Sequence, residues 1–205
     1  SSAFYLGRPD LNLFELVESE GESWLAVGQD KLLAISELKV RGQHNVANAL
    51  AALALGEAAG LPRDAMLQAL REFTGLRHRC QWIADVAGVA YFNDSKGTNV
   101  GATVAALNGL GPTLQADGSI VLIAGGDGKG AEFDELTGPV KQHCRAVVLI
   151  GTDAEKIENV LTTPTYHAQS MAEAVNRARE LAKAGDIVLL SPACASFDMF
   201  RNFNA

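Results

Sequence analysis

Short, fully apolar runs alternate with stretches of helical composition in the second half of the chain. The runs are Ile120–Ala124, Ala146–Ile150 and Ile187–Leu190. The helices predicted around them are Asn99–Leu107, Phe133–His143 and Met171–Ala184. A strand that is apolar at every position is buried on both faces, which is typical of a parallel sheet between two helical layers. The pattern therefore predicts an α/β domain.

The first part of the chain carries a different pattern. Before the apolar runs, Gln81–Ala87 and Val89–Phe92 predict two strands around a turn at Gly88. Further upstream, the pattern predicts short strands followed by two helices: Leu11–Val17, Trp24–Val27, Lys31–Ile35, Asn45–Ala59 and Arg63–Phe73. We expect a domain boundary near residues 75–79. The segment before it offers a small core, so we expect it to be part of a larger domain.

Composition narrows the function classes. Seventeen basic against 24 acidic residues give a net charge of −7, whereas proteins that grip nucleic acid usually present a basic face. No apolar run approaches the roughly 20 residues that span a bilayer. The three cysteines are widely spaced, without a CxxC pair. We therefore expect no nucleic-acid or membrane partner, no metal site, no disulfide framework, and a cytoplasmic location.

Three predicted strand ends carry candidate chemistry. The following loops are Asn93–Asn99, Gly125–Gly130 and Ser191–Asp198. In an open parallel sheet, ligands bind at the carboxyl ends of the strands. If these strands are parallel, the three loops share one edge of the sheet.

The first loop places Asp94 and Lys96 just before a helix. Backbone N–H groups at a helix start, together with an ammonium group, suit a phosphate or carboxylate. The alternative is a helix cap by Thr98 or Asn99 beside a surface ion pair.

The second loop presents Lys129 on a glycine turn. It is not a Walker A loop, because Ile123 stands where the first glycine is required and Gly130 follows the lysine. The dinucleotide fingerprint fits loosely, with Ala131 at its third glycine. A lysine at a strand end suits a carboxylate or phosphate, and the alternative is a plain turn.

The third loop is built of small residues. Ser196 lies near the predicted start of a last short helix, where its hydroxyl could cap the helix or bind a carboxylate. Cys194 has no histidine near it in sequence, which favours a buried thiol over a nucleophile.

Two polar sites lie outside these loops. Asn45 and Asn48, three residues apart on one helical face, offer amides to a base or ribose, unless Asn45 simply caps the helix. Arg79 follows the predicted boundary, where a guanidinium could reach a nucleotide. An exposed surface cation is the alternative.

In this order, five segments resemble the Mur ligases: Gly42–Ala52, Phe73–Arg79, Asn93–Asn99, Gly125–Lys129 and Ser191–Ser196. The resemblance covers the chain from about residue 40 onward. It implies that residues 1–75 are the C-terminal remnant of a central ATP-binding domain. It also implies that residues 76–205 form a Rossmann-like domain, with a mostly parallel sheet, that binds the incoming amino acid.

The resemblance implies a nucleotide site. Asn45 and Asn48 would lie near the adenine, and Arg79 and Asp94 near the ribose and nucleotide. Lys96 would approach the ATP phosphates and act in catalysis.

The resemblance also implies a site for D-glutamate. Thr98, Lys129, Ser196 and the backbone around Phe197 and Phe203 would hold it, and Lys129 would take part in catalysis. ATP would phosphorylate the L-alanyl carboxylate of UDP-N-acetylmuramoyl-L-alanine, and the amine of D-glutamate would displace the phosphate. Mg²⁺ is expected because phosphate charge must be neutralised.

The chain departs from the family pattern in several features, and other functions remain as alternatives. The family's UDP-binding domain, its Walker A loop and its carbamylated lysine are not found here, so we expect the fragment to bind weakly and not to turn over alone. A sister ligase or a folylpolyglutamate synthase would share the architecture, although no Asp-Asn-Pro-Arg-like motif for a diamino acid is found. A non-catalytic nucleotide-binding module remains open. A dinucleotide oxidoreductase conflicts with the broken glycine fingerprint.

Overall fold

The structure, a computed structural model, describes residues 3–4, 13–28, 30–40 and 42–196. The chain divides into two compact units, Ser1–Gly75 and Leu76–Ala205. Each unit has its own apolar core.

The first unit combines an antiparallel sheet with two helices. Its described strands, in the order β1-β2-β3-β4, are β1 Ala3–Phe4, β2 Phe14–Ser19, β3 Glu22–Val27 and β4 Asp30–Ala34. A 3-10 turn, Ile35–Glu37, leads to α1 Gln43–Ala58 and α2 Arg63–Glu72. Phe14, Leu25 and Leu33 of the sheet form one core with Leu50 and Leu53 of α1. The elements predicted here are confirmed, with ends shifted by a few residues; Leu11 lies outside the described residues.

The second unit is built on a mostly parallel sheet, and this confirms the predicted fold class. Its described strands are β5 Gln81–Val86, β6 Val89–Asn93, β7 Ile120–Gly125, β8 Cys144–Ile150, β9 Thr165–His167 and β10 Ile187–Leu190. They are ordered β5-β6-β10-β7-β8-β9. The pair β5 and β6 is an antiparallel hairpin, and the remaining neighbours are parallel. The last strand in sequence therefore lies in the middle of the sheet.

Both faces of this sheet are covered by helices. The described helices of the unit are α3 Val100–Leu110, α4 Thr137–His143, α5 Ala154–Val160 and α6 Met171–Leu181. Ile120 and Leu122 pack with Leu107 of α3, whereas Val121 belongs to the core that contains Ala174 of α6. Alternate residues of one strand thus serve two cores, which is why the strand is apolar throughout.

Two helices are shorter than predicted, and one helix and two strands were not predicted. The helix expected from Phe133 is a 3-10 turn until Thr137, and Pro139 then lies in the first helical turn, where its missing N–H costs nothing. The helix expected to reach Ala184 ends at Leu181, because the N–H of Lys183 donates to the side chain of Asp186 at 2.8 Å. The unpredicted helix is α5, and the unpredicted strands are β9 and, in the first unit, β1.

Candidate functional site

Three loops meet at one edge of the sheet in the second unit. Asn93, the last residue of β6, pairs with Leu190, the last residue of β10. Leu190 also pairs with Ile123 of β7. Because these strands are parallel, the loops that follow them leave the sheet on the same side. The predicted convergence of the three loops is confirmed.

Asp94 is buried and holds the first loop. Its N–H donates to the carbonyl oxygen of Leu190 at 2.7 Å, and its carbonyl oxygen accepts from the N–H of Gly97 at 2.7 Å. Its carboxylate accepts from the hydroxyl of Ser191 at 2.7 Å and from the N–H of Cys80 at 3.0 Å. The carboxylate therefore joins the ends of β6 and β10 to the turn that precedes β5.

That turn carries Arg79 between two residues of left-handed conformation. His78 has φ +65° and Cys80 has φ +41°, a region that L-residues adopt only when the surroundings enforce it. The N–H of His78 donates to Oε1 of Gln81 at 3.0 Å, and its carbonyl oxygen accepts from the N–H of Lys96 at 3.1 Å. Arg79 itself is exposed. The structure thus brings Arg79, Asp94 and Lys96 together.

The ring of His78 is held as well. The N–H of Ser95 donates to Oδ1 of Asn93 at 2.9 Å, so the amide nitrogen of Asn93 must point the other way. That nitrogen lies 3.2 Å from Nδ1 of His78, which must then be the acceptor. The turn is thereby tied to the end of β6 a second time.

Lys96, Thr98 and Asn99 complete the first loop. Lys96 and Thr98 are exposed, and the N–H of Thr98 donates to the carbonyl oxygen of Lys96 at 2.9 Å. Asn99 caps α3, because its Oδ1 accepts from the N–H of Ala102 at 2.9 Å. The suggested helix cap is therefore present, and it leaves the two exposed side chains at the edge of the loop.

The glycine loop is joined to the third loop by backbone bonds. The N–H of Gly125 donates to the carbonyl oxygen of Pro192 at 2.8 Å. Asp127 and Ala195 exchange two N–H···O bonds of 2.8 and 2.9 Å. Lys129 follows in left-handed conformation, with φ +52° and an exposed side chain. Lys129 and the end of the third loop are therefore held in a fixed backbone relation.

A fourth loop at this edge was not predicted. Asp153 follows β8, and its carboxylate accepts from the N–H of Gly128 at 2.7 Å. Lys156 pairs with the same carboxylate at 2.7 Å. These contacts hold the pKa of Asp153 below its ordinary value. The bond to Lys156 has the larger effect, and the bond from the N–H of Gly128 has the next largest. The signal in the sequence was the end of β8 itself, a further parallel strand with its own loop.

The third loop reaches the edge of the described chain at Ser196. Ser196 is half-buried and follows Ala195, which bonds the glycine loop. Phe197 and Phe203, two of the predicted binding residues, lie outside the described residues.

Asn45 and Asn48 lie on α1 of the first unit. The helix begins at Gln43 after Gly42, so Asn45 lies within its first turn and the alternative of a cap by Asn45 is wrong. Their spacing of three places them on one helical face, as predicted.

The three cysteines are free thiols. Burial raises the pKa of Cys144 to about 12. The pKa of Cys80 is raised to about 12, mainly by burial and to a smaller extent by the carboxylate of Asp94. Cys194 is 1% exposed. Burial therefore disfavours the thiolate of Cys80 and Cys144, and Cys194 is buried, as predicted.

Neither a metal cluster nor a membrane span is found in the described part of the chain. In residues 3–4, 13–28, 30–40 and 42–196, no group of three His, Cys, Asp or Glu residues could hold a metal ion. Within the same ranges, no helix combines the length and the apolar character needed to cross a membrane.

Comparison with known proteins identifies the family to which this sequence is similar. Residues 78–194 match the family described as "Mur ligase, glutamate ligase domain". The chain is 57% identical over 203 residues to the UDP-N-acetylmuramoylalanine–D-glutamate ligase of Pseudomonas aeruginosa, covering 98% of this chain and 45% of that protein. It is 56% identical to the enzyme of the same name from Nitrosococcus oceani, covering 98% and 44%. The chain thus spans less than half the length of these relatives.

Solved structures show the same fold at low identity. The UDP-N-acetylmuramate-alanine ligase MurC from Thermotoga maritima superposes with a TM-score of 0.62 at 20% identity, covering 87% of this chain and 41% of that one. A pseudomurein peptide ligase type C from Methanothermus fervidus gives a TM-score of 0.64 at 16% identity, covering 93% and 41%.

Proposed function

Because this chain belongs to the Mur ligase family, we propose that it forms part of an enzyme that adds D-glutamate to UDP-N-acetylmuramoyl-L-alanine with ATP. The observation that carries the proposal is the convergence of the loops bearing Lys96, Lys129 and Ser196 at one sheet edge. The 57% identity to a ligase named for these substrates supports it. Such an enzyme would serve peptidoglycan precursor synthesis in the cytoplasm.

The proposed reaction makes one amide bond in two transfers. The L-alanyl carboxylate attacks the terminal phosphorus of ATP, the P–O bond to ADP breaks, and an acyl phosphate forms. The amine of D-glutamate, having lost a proton, then attacks the acyl carbon, and the C–O bond to phosphate breaks. Negative charge gathers on phosphate oxygens in both steps, so catalysis consists mainly of positioning and charge stabilisation.

We assign D-glutamate to the edge formed by the first, second and third loops. Lys129 supplies a cation for one carboxylate, and Thr98 and Ser196 supply hydroxyl donors. Phe197 and Phe203 stay predictions for the same site. The paired bonds between Asp127 and Ala195 support the assignment, because they keep Lys129 and Ser196 at a constant separation.

We propose nucleotide-binding residues in the second unit and, as a separate proposal, in the first. In the second unit, Lys96 would contact the phosphates and Arg79 the ribose side. Asp94, whose carboxylate oxygens accept bonds from Ser191 and Cys80, would support this group by holding the turn of Arg79. In the first unit, the amides of Asn45 and Asn48 would meet the adenine. The first unit is accordingly proposed to be a remnant of the ATP-binding domain.

We assign no magnesium ligand among the described residues. The family implies Mg²⁺, which when bound would neutralise phosphate charge. Two acidic side chains at this edge, Asp94 and Asp153, do not fit the role, since they are buried and already accept protein hydrogen bonds.

The test is a ligation assay on the complete gene product that contains this chain. ATP-dependent phosphate release would be measured with UDP-N-acetylmuramoyl-L-alanine and D-glutamate. L-glutamate and meso-diaminopimelate would replace D-glutamate as controls. Lys129→Ala should raise the KM for D-glutamate at least about tenfold, while Lys141→Ala, an exposed lysine of α4, should leave it unchanged. Equal turnover of all three amino acids would contradict the proposed specificity.

A further inference from the structure

Asp153 contacts the glycine loop at two points. Its N–H donates to the carbonyl oxygen of Gly126 at 3.0 Å, and its carboxylate accepts from the N–H of Gly128 at 2.7 Å. Asp153 stands immediately before α5, the position from which an aspartate ordinarily caps its own helix, yet it makes no side-chain cap bond. Its carboxylate serves the loop of another strand instead.

Asp127, which lies between Gly126 and Gly128, bonds to the third loop and not to Asp153. Asp127 exchanges backbone bonds with Ala195 of the third loop, and its Oδ1 accepts from the N–H of Lys129 at 2.9 Å. Successive residues of the glycine loop are therefore attached alternately to Asp153 and to Ala195. The attachment ends at Lys129, whose left-handed φ of +52° requires such support.

The loop is closely packed between its two attachments. A Cβ atom on Gly126 would collide with the carbonyl oxygen of Ala195. A Cβ atom on Gly128 would lie 2.7 Å from the ring of Phe133 and 3.1 Å from Oδ2 of Asp153. The backbone has little room to relax, so a shift of Asp153 is transmitted to Lys129.

Lys156 holds the other oxygen of Asp153. Its Nζ lies 2.7 Å from Oδ1, and its side chain is 62% exposed. The Asp153 carboxylate, 8% exposed, is thereby charged and oriented, with one oxygen on a cation and one on the Gly128 N–H. A charged acceptor makes the stronger hydrogen bond to an N–H donor.

We propose that Asp153 is a positioning residue for D-glutamate, acting through the glycine loop on Lys129, with Lys156 orienting its carboxylate. The inference rests on the proposed function, because it takes Lys129 to be the cation that binds the amino acid. In this proposal, the loop after β8 influences the affinity for D-glutamate although it makes no proposed contact with the substrate.

The test uses Asp153→Ala and Asp153→Asn in the complete gene product. Loss of the charge-assisted bond to Gly128 should raise the KM for D-glutamate about tenfold in Asp153→Ala and leave the KM for ATP unchanged. Asp153→Asn keeps an oxygen that can accept from Gly128, so it should restore part of the affinity. Lys156→Met should give a smaller increase. Glu155→Gln, an exposed acid of the same helix, is the matched control.

The outcomes separate the positioning role from the proposed function. A wild-type enzyme that does not use D-glutamate would remove the proposed function, and this inference with it. A wild-type enzyme that uses D-glutamate, with an unchanged KM in Asp153→Ala, would overturn the positioning role alone. The positioning role is also overturned if all kinetic parameters fall in proportion to a lowered Tm, because that result indicates a purely structural residue. A selective rise in the KM for D-glutamate, partly rescued by Asn, supports the proposal.

Discussion

The hydroxyl of Ser191 donates a hydrogen bond to the carboxylate of Asp94 at 2.7 Å, across 97 positions of sequence. Ser191 follows β10 and Asp94 follows β6, so the bond joins two of the loops at the candidate site. Thr103 of α3 lies 3.0 Å from the same hydroxyl, and the three side chains are buried. The site is therefore built on a buried polar cluster and does not rest on surface loops alone.

Removal of that hydroxyl should destabilise the second unit. Ser191→Ala withdraws a donor from a buried carboxylate, and we expect a loss of about 1–3 kcal/mol in the free energy of unfolding. Urea denaturation measures it. Thr162→Ala, at an exposed position, is the control and should change stability by less than about 0.5 kcal/mol. Equal effects of the two substitutions would refute the stabilising role of the polar cluster.

Two glycines of the second loop should respond differently to alanine. Gly126 has φ +129°, and a Cβ atom there meets the backbone of Ala195. Gly130 has φ +80° with no atom within 4 Å of an added Cβ. We expect Gly130→Ala to cost about 1 kcal/mol from backbone strain alone. Gly126→Ala should cost more than about 3 kcal/mol, because the backbone must also move.

Thermal unfolding of the two glycine variants separates these effects. Comparable Tm values would show that the tight approach of the second and third loops is not required for stability.

The cap of α3 is a third testable feature. Asn99→Ala removes the acceptor for the N–H of Ala102, and we expect a loss of about 1 kcal/mol. Asn99→Ser keeps a cap acceptor and should restore most of it. The Tm of the three proteins measures the order, and a serine variant no better than the alanine variant would contradict the assignment.

Thiol reactivity tests the surroundings of the cysteines. With a pKa of about 12, Cys80 and Cys144 carry roughly one thiolate in 10⁴ molecules at pH 8. Since a raised pKa disfavours the thiolate, alkylation should remain slow until the pH is well above 9. Mass spectrometry after iodoacetamide treatment measures it, with the protein in denaturant as the reactive control. Fast labelling of Cys80 in the native protein would contradict its described environment.

The fold of the second unit could be predicted where burial left a clear pattern. The apolar runs of β7, β8 and β10 lie between two helical layers, so their composition identifies them. β9 was missed because its residues Thr165–His167, on a sheet edge, include no apolar run. The strand order could not be predicted, since the insertion of β10 between β6 and β7 depends on pairing between residues that are 97 and 67 positions apart, respectively.

The candidate site could be predicted in part. Lys96, Lys129 and Ser196 were identified because they follow strands that are apolar enough to recognise. Asp153 and Ser191 were not, because each acts through a hydrogen bond to a residue distant in sequence. No local pattern distinguishes such an aspartate or serine from an ordinary turn residue.

The central claim is that D-glutamate binds where the loops of Lys129 and Ser196 meet. Its most direct test is a two-dimensional NMR titration of this 205-residue chain with D-glutamate, L-glutamate and meso-diaminopimelate, repeated on Lys129→Ala and on Lys141→Ala. We expect saturable shifts with D-glutamate alone, centred on residues 95–98, 126–130 and 194–196. They should be lost in Lys129→Ala and kept in Lys141→Ala. Equal responses to all three ligands, or D-glutamate shifts that survive in Lys129→Ala, would contradict the claim.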